Sequence, residues 1–192
     1  MKNILIIGAG RSANTLIDYL LKESSINNWI ITIADFNAEL AVNASNGHKN
    51  SRPIFFDINS TVQRESEIRK SDIVVSMLPS NMHHIVAKDC LKFQKDLVTA
   101  SYVSDEINNY HDLAKKNNII FLNEIGLDPG IDHMSAMKVI DELKSKRAKI
   151  ISFKSFCGGL VHPQSDNNPW NYKFTWNPRN VVLLSLIHIS EP

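Results

Sequence analysis

Three short stretches carry residue types that could do chemistry. "GLDPGIDH", residues 126–133, gathers Asp128, Asp132 and His133 with two glycines and Pro129 in eight residues. A connection between a strand and a helix needs only a few turn residues. Two carboxylates and an imidazole exceed that need, and such groups accept and return protons. "GAGRSA", residues 8–13, has the spacing G-x-G-x-x-A that cradles a dinucleotide pyrophosphate when it links a strand to a helix. "TASYVSDE", residues 99–106, carries the hydroxyls of Ser101 and Tyr102. Ser104 opens a helix at Asp105 as its cap, which leaves Ser101 and Tyr102 free to face a substrate.

These groups need a scaffold, and the pattern along the chain supplies one. Short apolar runs at residues 4–7, 29–34, 53–56, 73–77, 97–100 and 119–122 alternate with polar-faced helical stretches at 13–22, 38–47, 62–69, 82–93 and 105–116. Strands alternating with helices at this spacing predict βαβ units and a doubly wound parallel sheet, the Rossmann α/β class. The runs ILII and IVVSML are apolar throughout, as strands buried on both faces must be.

On that scaffold, GAGRSA lies between the first strand and the first helix. Gly8 makes the tight turn, Gly10 lets the pyrophosphate approach the backbone, and Ala13 permits close helix–strand packing. The helix N-terminus presents unpaired N–H groups to phosphate. Asp35 ends the second strand, where a carboxylate accepts from ribose hydroxyls and repels a 2′-phosphate, so this residue favours NAD. The plainer role for Asp35 is a cap for the helix from Ala38, and the two roles are compatible. Asp57, just past the third strand, is a candidate for the adenine amino group or an N-cap for the next helix. The loop after the fourth strand, with Leu78 and Pro79, lies on the ligand side of such a sheet. His83 and His84 lack the spacing of a zinc site and are expected at a helix start, facing cofactor or solvent.

Beyond residue 132 the character changes. A helix over 133–147 and a strand over 149–156 are predicted, followed by a Gly-, Pro-, Asn- and aromatic-rich segment over 157–180. The expected organisation is a dinucleotide-binding domain at 1–132, the truncated start of an α+β substrate domain at 133–183, and an adapter-derived, non-native tail at 184–192. The chain has 192 residues, 43% of them hydrophobic, and a net charge of +1. It can bury a core, and it has no electrostatic footprint for nucleic acid or an anionic membrane. Two cysteines cannot make a disulfide framework, and no segment reads as a signal peptide or membrane span. A cytoplasmic location is expected.

The set GAGRSA, SMLPSNMH, LVTASYVS, NEIGLDPGIDHMSAMKVID, SFCGGL and NPWNYKFTWNPR resembles the glutamate-forming saccharopine dehydrogenase (saccharopine reductase) family over residues 2–183. The resemblance implies an enzyme of lysine metabolism that reduces the imine of 2-aminoadipate 6-semialdehyde and glutamate with NAD(P)H, or runs the reverse. Carried over by position, the cofactor meets Ala9, Gly10, Arg11, Ser12, Asp35, Asp57, Leu78, Pro79, Ala100, Leu127, Asp128, Pro129 and Asn177. Saccharopine meets Ser101, Tyr102 and Asp128, and the arginines for its carboxylates lie beyond this chain. The resemblance favours NADP, against Asp35. A homodimer is open for the full-length protein, and small amino acids are the expected partners.

The chain departs from the family pattern in three places, one of them Asp35 at the strand end where the fungal enzymes are of NADP type. Val161-His162-Pro163-Gln164 stands where proline, alanine, proline and glutamate are usual, which puts any role of that glutamate in doubt, and Asn177 replaces a serine. Within the eight-residue stretch, Gly126 and Gly130 are expected at positive φ, with Pro129 fixing the turn. Asp132 is expected to cap a helix from His133, which leaves Asp128 as the working carboxylate, with Tyr102 and Cys157 beside it and His133 as competitor. Two alternatives stay open: a carboxyspermidine-type dehydrogenase, and a dinucleotide-binding module without catalysis.

Overall fold

A computed structural model of the chain describes residues 1–155, 161–171 and 173. Residues Met1–Ser145 form one compact unit, and a second begins at Lys146. The first unit holds six parallel strands: β1 (Lys2–Ile7), β2 (Trp29–Asp35), β3 (Ser51–Phe55), β4 (Ile73–Ser76), β5 (Asp96–Thr99) and β6 (Phe121–Leu122). Their order across the sheet is β3-β2-β1-β4-β5-β6. The order reverses between β1 and β4, and a doubly wound sheet opens a ligand crevice at the carboxyl ends of that pair.

The helices are α1 (Asn14–Asn27), α2 (Ala38–Ser45), α3 (Thr61–Lys70), α4 (His83–Phe93), α5 (Asp105–Asn108), α6 (His111–Lys116) and α7 (Ile131–Ser145). Successive side chains of β1 alternate between the two faces, so Ile4 and Ile6 join one core and Leu5 and Ile7 the other. Ala13, just before α1, and Ile17 and Leu21 of α1 fill the first core. Ile68 of α3 and Val86, Ala87 and Cys90 of α4 fill the second. Burial also raises the Cys90 thiol pKa well above the ordinary thiol range, so it is an inert core group. On the α1 face, an apolar cleft of about 490 Å³ follows β4 and β5 past Val75, Met77 and Val98 up to Ala100 and Ile125.

Three local expectations are corrected. The stretch predicted as one helix over 105–116 divides into α5 and α6, broken at Asn109-Tyr110. The helix predicted from His133 begins at Ile131. No strand forms over the described part of 149–156; residues 149–155 are irregular and exposed. A strand needs a neighbour to pair its backbone groups, and hydrophobic alternation alone does not provide one. No helix among the described residues is long and apolar enough to cross a membrane.

Candidate active site at the carboxyl edge of the sheet

The fingerprint loop leaves β1 at Gly8, whose φ is +107°. A Cβ there would stand 2.9 Å from the Met77 carbonyl oxygen, so Gly8 lets the ends of β1 and β4 meet. Gly10 differs. A Cβ there would meet nothing within 4 Å, which leaves open space above the loop. Ala13 is fully buried against the sheet, and its N–H bonds the Gly10 carbonyl at 2.9 Å. No side chain caps α1 and no acidic residue occupies its first turn, so its leading N–H groups face that open space. Arg11 and Ser12 are exposed on the loop.

Asp35 does not cap α2; Asn37 does, accepting from Glu39 N–H at 3.0 Å. The Asp35 carboxylate instead takes the Ala9 N–H at 2.7 Å and the Asn37 N–H at 2.8 Å, one on each oxygen. It thus ties the fingerprint loop to the end of β2. Phe36 and Phe55, which no motif includes, stand beside it 70% and 50% exposed, with ring centroids 5.6 Å apart. The signal was an aromatic at each strand's polar end, where no core demands one. Asp57 is no N-cap either: Ser60 caps α3, and Asp57 accepts from Asn59 N–H at 2.9 Å in a local turn.

Past β4, Leu78 turns toward the core and Pro79 leads into a 3₁₀ turn at Ser80–Met82. His83 then contradicts its expected outward orientation. It is 2% exposed, with Nδ1 2.8 Å from Ser76 Oγ and Nε2 2.8 Å from Ser101 Oγ. Thr99 Oγ1 lies 3.1 Å from the same Nε2. Burial, and then the nearby His84, press the His83 pKa down to about 4. No local pattern marks this, because the hydroxyls come from the ends of two separate strands, β4 and β5.

The loop after β5 is strapped down by the segment after β6. Glu124 N–H donates to the Ser101 carbonyl at 3.0 Å, Ile125 N–H to the Thr99 carbonyl at 3.2 Å, and Glu124 Oε1 accepts from Val103 N–H at 3.1 Å. Ser104 caps α5, accepting from Ile107 N–H at 3.3 Å. The strap brings "GLDPGIDH" to Tyr102, whose hydroxyl donates to Asp128 Oδ1 at 3.4 Å. Burial first, and then the Asp128 charge, raise the Tyr102 pKa, so the phenol keeps its proton through the neutral range.

Only Gly130 of the two loop glycines has positive φ, at +143°. Gly126 is required for closeness instead: its Cβ would be 3.1 Å from the Ala100 carbonyl oxygen. A Cβ on Gly130 would fall 2.3 Å from the Gly126 carbonyl oxygen, and the two glycines form an isolated bridge. The Asp128–Pro129 peptide bond is cis. Asp132 lies inside the first turn of α7, not before it. Its carboxylate accepts the Gly130 N–H at 2.9 Å and pairs with His133 Nδ1 at 2.8 Å. Desolvation works against its ionisation, but these bonds outweigh it and lower the Asp132 pKa. Structural work thus accounts for Asp132 and occupies one nitrogen of His133. Asp128 is exposed, with the Tyr102 hydroxyl on one oxygen, and Leu127 beside it is 74% exposed. Cys157 and Asn177 lie outside the described residues.

Comparison with known proteins places the chain among related sequences and structures. Residues 4–122 match the family model described as the saccharopine dehydrogenase NADP binding domain, and residues 126–186 the one described as the saccharopine dehydrogenase C-terminal domain. The chain is 40% identical over 182 residues to "Saccharopine dehydrogenase [NADP(+), L-glutamate-forming]" of Pyricularia oryzae, covering 95% of this chain and 40% of that protein. It is 37% identical over 196 residues to "Alpha-aminoadipic semialdehyde synthase" of Arabidopsis thaliana, covering 93% of this chain and 18% of that one. The apo saccharopine dehydrogenase (L-Glu forming) structure from Saccharomyces cerevisiae superposes with a TM-score of 0.79 at 35% identity, covering 95% of this chain and 40% of that chain. The chain therefore spans well under half the length of these relatives.

Proposed function

The chain belongs to the saccharopine dehydrogenase family, and on that premise we propose that the full-length protein interconverts saccharopine with glutamate and 2-aminoadipate 6-semialdehyde using NAD(P). The observation that carries this reading is the convergence at one sheet edge of an open, uncapped dinucleotide loop with the Tyr102–Asp128 pair. The residues fit a dinucleotide: space above Gly10 for the pyrophosphate, the free α1 N-terminus for its charge, and Asp35 for the ribose. Asp57, the Leu78–Pro79 loop, Ala100 and the Leu127–Pro129 turn would border the rest of it. When bound, the nicotinamide accepts or returns a hydride.

The protein's own residues would manage protons and orientation. In the oxidative direction the secondary amine loses a proton as its neighbouring carbon gives up hydride. Water then adds to the imine, and the carbinolamine collapses to aldehyde and glutamate. Tyr102 holds its proton and serves as a donor, which makes Asp128 the acceptor. Ser101 would hold a polar group of the substrate. The arginines that the resemblance implies for the substrate carboxylates are expected outside the described residues, so the described residues alone should give no saccharopine-dependent turnover.

Asp35 favours NAD over NADP. A 2′-phosphate carries about −1.5 to −2 charges, and one carboxylate at about 4 Å repels each unit by roughly 1 kcal/mol even at the dielectric of water. The family description and the fungal names favour NADP, so the charge of Asp35 is expected to weaken that preference. Initial rates of dinucleotide reduction by the full-length protein, with saccharopine and with a carboxylated polyamine, test the function. Saccharopine-dependent release of glutamate supports the reading. Turnover of the polyamine alone, or of neither compound, overturns it.

A further inference from the structure

The mechanism above leaves one buried group without a task, the His83 imidazole. Its surroundings are specific. Nδ1 faces Ser76 Oγ at the end of β4, and Nε2 faces Ser101 Oγ beyond the end of β5, each at 2.8 Å. Ser76 and Thr99 are themselves buried, while Ser101 is half-buried and reaches the site. Thr99 Oγ1 takes the Ser101 backbone N–H at 3.3 Å, which fixes that backbone independently of the imidazole.

Counting protons decides the direction of these bonds. The ring is neutral in the neutral range and so carries one N–H. If Nδ1 held it, the Ser76 hydroxyl would accept that proton, and its own hydrogen would have no acceptor among the described contacts. Thr99 and Ser101 would then compete to donate to one Nε2 lone pair. If Nε2 holds the proton, Ser76 O–H donates to Nδ1 and Nε2–H donates to Ser101 Oγ. Both short contacts then carry one hydrogen each, and only the Thr99 hydroxyl hydrogen is left over. The second arrangement strands fewer buried hydrogens, and a stranded buried donor is costly.

The consequence reaches the site. With its oxygen accepting from His83, the Ser101 hydroxyl must turn its own hydrogen away from the core. We propose that His83 is a positioning residue that sets Ser101 as an outward hydrogen-bond donor to a carboxylate of the amino-acid substrate. The identity of that acceptor rests on the function proposed above; the direction of the hydrogen bond does not.

The test uses the full-length protein. Nitrogen NMR of ring-labelled histidine should find His83 protonated at Nε2, and protonation at Nδ1 overturns the proposal whether or not the protein turns over saccharopine. In kinetics, His83→Leu should raise KM for saccharopine about tenfold, the loss of one hydrogen bond to a charged group, with kcat and reduced-dinucleotide affinity within about threefold. His83→Gln, whose amide can donate to Ser101, should recover most of that loss. In a Ser101→Ala background His83→Leu should add nothing. Equal damage from Leu and Gln, dinucleotide affinity falling in parallel with KM, or full additivity with Ser101→Ala would each assign His83 to packing alone and overturn the proposal. Should His83→Leu fail to fold, the glutamine variant decides: a KM near wild type supports the proposal, and a rise of about tenfold or more overturns it.

Discussion

Substituting the two fingerprint glycines by alanine should produce opposite defects. In Gly8→Ala the new Cβ would be 2.9 Å from the Met77 carbonyl oxygen and 3.0 Å from its carbon, both backbone atoms that cannot swing aside. The residue would also keep a φ near +107°, which an L side chain rarely adopts. Backbone strain of this kind costs about 1–3 kcal/mol, and overpacking typically adds about 1–3 kcal/mol. Together they predict a destabilisation of roughly 2–6 kcal/mol, or a Tm lower by on the order of 10 °C for a unit of this size. In Gly10→Ala the Cβ meets nothing within 4 Å, so the fold should melt within about 2 °C of wild type. The methyl group would instead occupy the space where the pyrophosphate closes on the backbone, and dinucleotide affinity should fall at least about tenfold. Thermal melts of the full-length protein, paired with titration by reduced dinucleotide, read both effects. Equal melting of the two variants, or unchanged affinity in Gly10→Ala, would refute the division of labour.

Further outcomes follow from the same geometry. Asp35→Ala should lower the ratio of kcat/KM for NAD to that for NADP by about tenfold or more; a ratio unchanged by the substitution would remove Asp35 from the ribose. The folded pKa of His83 lies at about 4, below its usual 6.5, so its stabilising contribution is present above pH 6.5 and is lost as pH falls toward 4. The loss amounts to at most about 3 kcal/mol, and chemical denaturation at a series of pH values should show a flatter profile for His83→Gln. Gly130→Ala should abolish saccharopine turnover while sparing dinucleotide binding within about threefold, because the clash opens the Asp128 turn and leaves the fingerprint loop alone; equilibrium titration beside the activity assay separates the two.

The sheet and the fingerprint were legible because one physical demand left a mark in local sequence. Strands buried on both faces must be apolar throughout, and ILII and IVVS are β1 and β4. The glycine spacing likewise followed from a backbone requirement, seen in Gly8 against Met77. What escaped detection depends on groups that meet only in three dimensions. His83 reads as a helix-start histidine, yet its partners lie 7, 16 and 18 residues away on two other strand ends. The Glu124 strap that carries Asp128 to Tyr102 is a carboxylate in a loop, with no periodicity to mark it. Asp35 and Asp57 do lie at the carboxyl edge of the sheet, but their alternative capping roles belong to Asn37 and Ser60, each a few residues on. The strand expected from Lys149 failed for the reverse reason: its local pattern was suitable, and the described residues offer it no partner strand.

The central claim is that the edge bearing Gly10, Tyr102 and Asp128 moves hydride between a nicotinamide and the carbon beside a secondary amine. Saccharopine deuterated at the carbon that becomes the aldehyde tests it directly, with mass spectrometry of the reduced dinucleotide formed by the full-length protein. Deuterium on the nicotinamide ring in the wild type, with a rate about 10²–10⁴-fold lower in Asp128→Asn, is the predicted result. A reduced dinucleotide free of deuterium, or an Asp128→Asn rate equal to wild type, would contradict it.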